Sequence, residues 1–118
     1  MINVVIEKDR SGKIRSFTMD GHADFAEYGQ DIVCAGASAV SFGAINSIMV
    51  LTNVEPEIEQ KGGGGFLRCV IPETTTGKEL EKVQFLLEAM VVSLQTIEQQ
   101  YGDFIKIVFK TVGGGKNA

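Results

Sequence analysis

An apolar stripe between residues 80 and 101 is the sequence feature that most constrains the fold. Its members recur at spacings of three and four, the period of one helix face: Leu80, Val83, Leu87, Met90, Leu94, Ile97 and Tyr101. Charged and amide side chains such as Glu81, Glu88 and Gln95 fall off the stripe. The pattern predicts a long amphipathic helix that begins at Thr76 or Gly77 and needs an apolar surface to cover its stripe.

A second long apolar run starts after Asp31 and ends near Thr52. Its length and continuous apolar character predict a mostly buried helix of about twenty residues. The first half, residues 35–39, consists of alanine, glycine and serine. Such small side chains allow another backbone or a substrate chain to approach closely.

Short segments rich in apolar and β-branched residues surround the two helices: residues 2–8, 14–19, 56–60, 66–71 and 104–111. Turn residues 9–12 and four consecutive glycines at 62–65 join the first two pairs into predicted hairpins. The order ββαββαβ predicts an α+β fold, a single two-layer domain with about five mostly antiparallel strands and two long helices packed on the sheet. We expect one domain over residues 1–112 and a flexible C-terminal tail at 113–118.

Composition limits the classes of partner. With 44% hydrophobic and 22% charged residues, the chain has the composition of a soluble globular protein. Its net charge of -4 opposes binding to a phosphate backbone, so no direct nucleic-acid binding is expected, and a basic polypeptide suits the surface better. Neither a signal peptide nor a membrane-spanning segment is predicted. We therefore expect a cytoplasmic protein without a membrane partner.

His22 and Cys34 are the residues with the clearest chemical potential. His22 is the single histidine and follows Gly21 at the end of the second predicted strand. If Asp31 caps the next helix, Cys34 lies in its first turn, near the positive end of the helix dipole. A helix N-terminus and an imidazolium both stabilise a thiolate, and helix amides can stabilise the oxyanion of acyl transfer. The pattern favours Cys34 as nucleophile and His22 as general base and acid.

Plainer interpretations of these residues remain open. A cysteine in an alanine-rich helix often fills the core, and a lone histidine after a strand is often structural. Cys69 lies within an apolar strand, where burial keeps a thiol neutral, so we expect a structural role. No cofactor or metal is expected, because paired ligand spacing is missing from the possible ligands: His22, Asp24, Glu27, Asp31 and Cys34.

Three other functions compete with acyl transfer at this point. A non-catalytic protein could use the region from Gly21 to Ser38 to bind a peptide without cutting it. A thiol redox protein could use Cys34, although a resolving cysteine is missing nearby in sequence. An RNA-binding module is the weakest of the three, because the basic and aromatic strand pattern that it needs is absent.

Two sequence blocks carry a resemblance to a known family. Residues 19–23 read Met-Asp-Gly-His-Ala, and residues 28–40 contain Asp-Ile-Val-Cys-Ala-Gly-Ala-Ser. Both blocks closely resemble the bacterial ribosomal-processing cysteine proteases, the Prp family. The likeness continues through Val-Ser-Leu-Gln-Thr-Ile-Glu at 92–98 and extends over nearly the whole chain, to about residue 110.

The resemblance implies an activity and a set of site residues. It places the nucleophile at Cys34 and the catalytic histidine at His22, with Asp31 and Ser38 in support. Whether Asp31 orients His22 or caps the helix stays open. The implied reaction is removal of an N-terminal extension from a large-subunit ribosomal protein, after two aromatic residues. With this resemblance, the non-catalytic alternative becomes a ribosome-associated peptide-binding protein. A homodimer and a loop at 23–30 that rearranges around substrate are implied as well.

Candidate substrate contacts rest on position alone. Gly21, Phe25 and Tyr28 lie on either side of His22 or in the loop that leads to Cys34, and Phe42 lies further along the first helix. Each of the three aromatic side chains could form an apolar wall of a peptide pocket, and each could equally fill the core.

Overall fold

The structure, a computed structural model, describes residues 1–21, 30–61 and 65–113. For residues 30 and 31 it describes the backbone only. Seven elements follow one another in the predicted order ββαββαβ. The strands are β1 (Ile2–Lys8), β2 (Ile14–Asp20), β3 (Glu57–Gln60), β4 (Phe66–Val70) and β5 (Ile105–Thr111). The helices are α1 (Gln30–Leu51) and α2 (Gly77–Tyr101). Most of the predicted tail, residues 114–118, lies outside the described residues.

The five strands form one sheet in the order β3-β4-β2-β1-β5. Both predicted hairpins are present, and β2 pairs antiparallel with β4 across the connection that contains α1. The last strand, β5, returns after α2 to lie parallel to β1. The prediction of a mostly antiparallel sheet is therefore confirmed. This arrangement brings the starts of β1 and β4 and the ends of β2 and β3 to one end of the sheet.

One hydrophobic core lies between the sheet and the two helices. Alternate residues of each strand face this core, since successive side chains point to opposite faces of a sheet. Val4 pairs with Met19, and Phe17 pairs with Cys69, on the core face. The predicted stripe of α2 is buried at Val83, Leu87 and Leu94, each 0% exposed. The buried side of α1 contributes further residues to the same cluster: Val33, Ala37, Ile45 and Ile48.

Helix α1 departs from the sequence expectation in two ways. It begins at Gln30, so Asp31 lies inside the first turn and is not the N-cap. Neither residue 30 nor 31 is glycine, proline or β-branched, so nothing local stops the helix from including both. By length and composition alone, Ile32–Leu51 could cross a membrane, with a mean hydropathy of 1.6, contrary to our expectation of no such segment. A helix that covers a sheet in a globular core satisfies the same criterion.

A buried amide joins α2 to the start of β2. The Ile14 backbone N–H donates to Gln84 Oε1 at 2.7 Å, and Gln84 Nε2 donates to the Ile14 carbonyl at 2.8 Å. Gln84 is 7% exposed, so water cannot readily replace the pair.

Changing Gln84 to leucine is expected to lower the free energy of unfolding by about 1–3 kcal/mol, because a buried N–H and C=O lose their partners. Urea denaturation followed by circular dichroism measures the change. Gln100→Leu is the matched control on an exposed position of the same helix, and its unfolding midpoint should stay close to that of the wild type. Equal midpoints for the two variants would contradict the role given to the Gln84 amide.

Candidate functional site

A cleft of about 350 Å³ opens between the first half of α1 and the end of the sheet where β2 stops. Cys34, Ser38 and Phe42 line it from α1. Apolar side chains of the strand ends, Ile2, Met19 and Leu67, line the opposite side. The cleft thus joins a thiol and a hydroxyl to an apolar surface that suits a peptide with large hydrophobic side chains.

Cys34 is the fifth residue of α1, so it begins the second turn and not the first as predicted, because the helix starts earlier than expected. Its thiol is free and half-buried. Helix side chains lean toward the N-terminus, so the thiol lies over the first turn, at the positive end of the helix dipole. Ser38 follows four residues later on the same face and is exposed to the same cleft. The helix therefore positions the two residues side by side, as their spacing predicts.

Gly21 directly follows β2 and has a backbone conformation that other residues rarely adopt. Its φ is +91°, and a Cβ at this position would lie 2.5 Å from the backbone oxygen of Met1. Its N–H donates to the Gly65 carbonyl at 2.9 Å. Sequence reasoning named Gly21 as a substrate contact but missed this requirement. The backbone at Gly21 is fixed by two neighbouring chain segments immediately before His22.

Several predicted site residues lie outside the described residues. His22, Phe25 and Tyr28 belong to residues 22–29, and the predicted rearranging loop at 23–30 falls almost wholly in the same stretch. The backbone of Asp31 is in the first turn of α1, while its side chain is not described. Phe42, one of the three aromatic candidates, does line the cleft.

The hairpin of β3 and β4 supplies a wall that sequence reasoning did not anticipate. Gln60, Lys61 and Phe66 line the cleft, and Lys61 Nζ lies 4.8 Å from the centroid of the Phe66 ring. That distance permits a cation–π contact, which holds the lysine against the ring. The four-glycine sequence predicted the hairpin correctly, but only the sheet order brings this hairpin next to Cys34.

The second cysteine is in a different environment. Cys69 is 0% exposed in the middle of β4, and burial raises the pKa of its thiol to about 12. A thiol that stays protonated at neutral pH is a poor nucleophile. The structure therefore confirms the expectation that Cys69 is buried and neutral.

Thiol labelling is expected to distinguish the two cysteines. In the native protein one thiol per chain, that of Cys34, should react with Ellman's reagent, whereas both should react in guanidinium chloride. Half-exposed Cys34 is accessible, and Cys69 must unfold before it can be reached. Labelling followed by peptide mass spectrometry identifies the modified residue. Rapid native labelling of Cys69 would contradict the description of the core.

Charged groups on the other face of the sheet serve a structural purpose. The Ser16 hydroxyl donates to the Glu7 carboxylate, and Arg68 Nη2 lies 3.3 Å from the same oxygen. These hydrogen bonds, that of Ser16 foremost, lower the pKa of Glu7 despite its partial burial. Residues 7, 16 and 68 alternate with the core-facing residues of their strands, so this network lies on the opposite face from the cleft.

Several known proteins are similar to this chain in sequence. The sequence profile of the family described as cysteine protease Prp matches residues 1–106. The ribosomal processing cysteine protease Prp of Bacillus subtilis is 44% identical over 107 residues, which cover 91% of this chain and 96% of that protein. The protein of the same name from Staphylococcus aureus is also 44% identical, over 93% of this chain and all of its own length.

Crystal structures of Prp from S. aureus have the same fold. The structure of that protease in complex with a substrate peptide superposes with a TM-score of 0.84, covering 93% of this chain and the whole of that chain at 44% identity. A second structure, with a covalently linked product peptide, gives a TM-score of 0.82 at the same identity and coverage.

Proposed function

The chain belongs to the Prp family of cysteine proteases, and we propose that it removes the N-terminal extension of a bacterial large-subunit ribosomal protein. In this proposal Cys34 is the nucleophile and His22 is the general base and acid. The observation that carries it is the position of the Cys34 thiol, over the first turn of α1 and open to the peptide-sized cleft. No cofactor is required for this chemistry.

The reaction proceeds by acyl transfer. His22 accepts the thiol proton, and the Cys34 sulfur attacks the scissile carbonyl to give a tetrahedral intermediate. The positive end of α1 stabilises the negative charge on the carbonyl oxygen. As the intermediate collapses, the C–N bond breaks and His22 gives its proton to the leaving amine. Water, deprotonated by His22, then hydrolyses the thioester and regenerates the thiol.

Asp31 and Ser38 support this reaction in our proposal. Asp31 lies within the first turn of α1, so the proposed role is to orient His22 and not to cap the helix. Ser38 lies one helical turn beyond Cys34 at the cleft, where its hydroxyl can donate to a substrate carbonyl. Gly21, Phe25 and Tyr28 are proposed to contact substrate, and the apolar side chains of Met19 and Phe42 to receive aromatic residues beside the scissile bond.

Mass spectrometry of a ribosomal protein incubated with the enzyme tests the proposal. Loss of the N-terminal extension at one bond, with a new N-terminus beginning after two aromatic residues, is the expected result. Treating the enzyme first with iodoacetamide should prevent cleavage in proportion to alkylation of Cys34. An intact substrate that nevertheless binds, measured by calorimetry, would favour the non-catalytic peptide-binding function instead.

We also propose that the protein acts in the cytoplasm as a homodimer. Large apolar side chains remain exposed on both helices, among them Leu51, Phe85 and Val92, and Leu51 and Phe85 line one shallow depression. A second copy would remove this surface from water. Sedimentation equilibrium should then give twice the 12.7 kDa chain mass, and Phe85→Glu should shift the population toward the single chain. A wild-type mass of one chain at micromolar concentration would contradict the dimer.

A further inference from the structure

Strand β3 has one side without a partner strand. It stands at the edge of the sheet, paired with β4 alone among the described residues. All four of its side chains are exposed. Edge strands present a row of backbone donors and acceptors that another extended chain can use.

The register identifies which backbone groups point outward. The Lys61 N–H donates to the Phe66 carbonyl, and Gln60 lies opposite Leu67. Hydrogen bonding alternates along an antiparallel strand, so Glu57, Glu59 and Lys61 direct their backbone groups toward β4. Ile58 and Gln60 direct their N–H and C=O groups away from the sheet. The outer side of β3 therefore offers two donors and two acceptors in strand geometry.

This outer edge is continuous with the catalytic cleft. Gln60 and Lys61 line the cleft beside Cys34, whereas Glu57 and Ile58 lie beyond it. A peptide that leaves the cleft along β3 would run beside an extended backbone for about 13 Å, the length of a four-residue strand. The position of the edge, rather than its side chains, links it to the reaction.

We propose that the substrate polypeptide pairs with the outer edge of β3 as a sixth strand, with its scissile bond at Cys34. The inference rests on the proposed protease function and extends it to residues of the substrate outside the cleft. Backbone pairing supplies affinity that depends little on sequence, while the cleft selects the side chains beside the cut.

Continuity with the cleft favours the substrate over a second copy as the occupant of this edge. Glu57 and Glu59 flank the outward-pointing residues, and a basic substrate chain complements them. Two copies of β3 paired antiparallel with the greatest overlap of Ile58 and Gln60 would set Glu59 opposite Glu59 but Glu57 opposite Lys61, so charge alone does not select the occupant. The shared cleft selects the substrate, because Gln60 and Lys61 line the same cleft as Cys34.

Peptide length and a proline substitution test the proposal together. Wild-type kcat/KM should be at least about tenfold higher for a peptide extended by four residues than for one limited to the cleft. Ile58→Pro removes an outward N–H and keeps the bonds to β4, so most of this advantage should disappear. Ile58→Ala is the matched control: it removes the same side chain, keeps the N–H, and should retain the advantage.

Backbone N-methylation of the long peptide gives a second, independent signature. Methylation at residues whose N–H faces β3 should reduce kcat/KM about tenfold, and methylation at the residues between them should not, giving a period of two.

Cleavage of both peptides without a length advantage, or without this alternation, would overturn the edge proposal and leave the protease function standing. Failure to cleave either peptide would overturn the proposed function itself. Dissociation of a dimer by Ile58→Pro, with peptide kinetics unchanged, would assign the edge to a second copy and overturn the proposal.

Discussion

Replacing Cys34 with alanine is expected to lower kcat/KM for the extended ribosomal protein by at least about 10³-fold, because the covalent route through the thioester is lost. Binding should change little, since Cys34 contributes one half-buried side chain to a much larger cleft. Single-turnover cleavage read by mass spectrometry measures the rate, and calorimetry measures the dissociation constant. The separation of the two quantities identifies a residue that acts in the reaction and not in binding.

Cys69→Ala is the matched control for removal of a thiol. Cys69 is fully buried in β4, so this variant should unfold at lower denaturant concentration while its folded fraction retains wild-type kcat/KM. Cys34→Ser preserves the size of the side chain and replaces the proposed nucleophile with a hydroxyl, and it should be nearly as inactive as Cys34→Ala. Full cleavage by either Cys34 variant would remove Cys34 from the mechanism.

The order of elements could be predicted because it depends on local periodicity. The stripe of α2 repeats at three and four residues, and its central members Val83, Leu87 and Leu94 are fully buried. The hairpins follow from turn residues between apolar segments. In contrast, the parallel pairing of β1 with β5 joins the two ends of the chain, and no local pattern specifies it.

In the candidate site, too, the features that depend on local spacing could be predicted and those that depend on the sheet order could not. Cys34 and Ser38 share a cleft because helical spacing fixes their relation, whatever the rest of the fold does. Lys61 and Phe66 join them only because the sheet order is β3-β4-β2, which brings a later hairpin beside the end of β2. The start of α1 two residues earlier than expected shows a further limit, since helix ends depend weakly on sequence.

Gly21→Ala is expected to impair both stability and activity. The added Cβ would lie 2.5 Å from the Met1 carbonyl oxygen, at a φ of +91° that alanine rarely adopts. Backbone strain of this kind costs about 1–3 kcal/mol, which should lower the urea midpoint. Relief of the contact would displace the chain just before His22, and a displacement of about 1 Å at a catalytic group can reduce the rate about 100-fold. We therefore expect kcat/KM to fall about 100-fold in the folded protein.

Gly12→Ala is the control that separates the effect of backbone strain from the effect of displacing the chain before His22. Gly12 has a φ of +89° in the turn between β1 and β2, close to that of Gly21, but an added Cβ there meets no atom within 4 Å. It should therefore lose stability through backbone strain while the folded enzyme keeps wild-type kcat/KM. If both variants lost stability equally and both kept full activity, Gly21 would be a turn glycine without influence on His22. A selective loss of activity in Gly21→Ala would instead support the proposal that the close approach of Gly21 to Met1 positions His22 to accept the proton of Cys34.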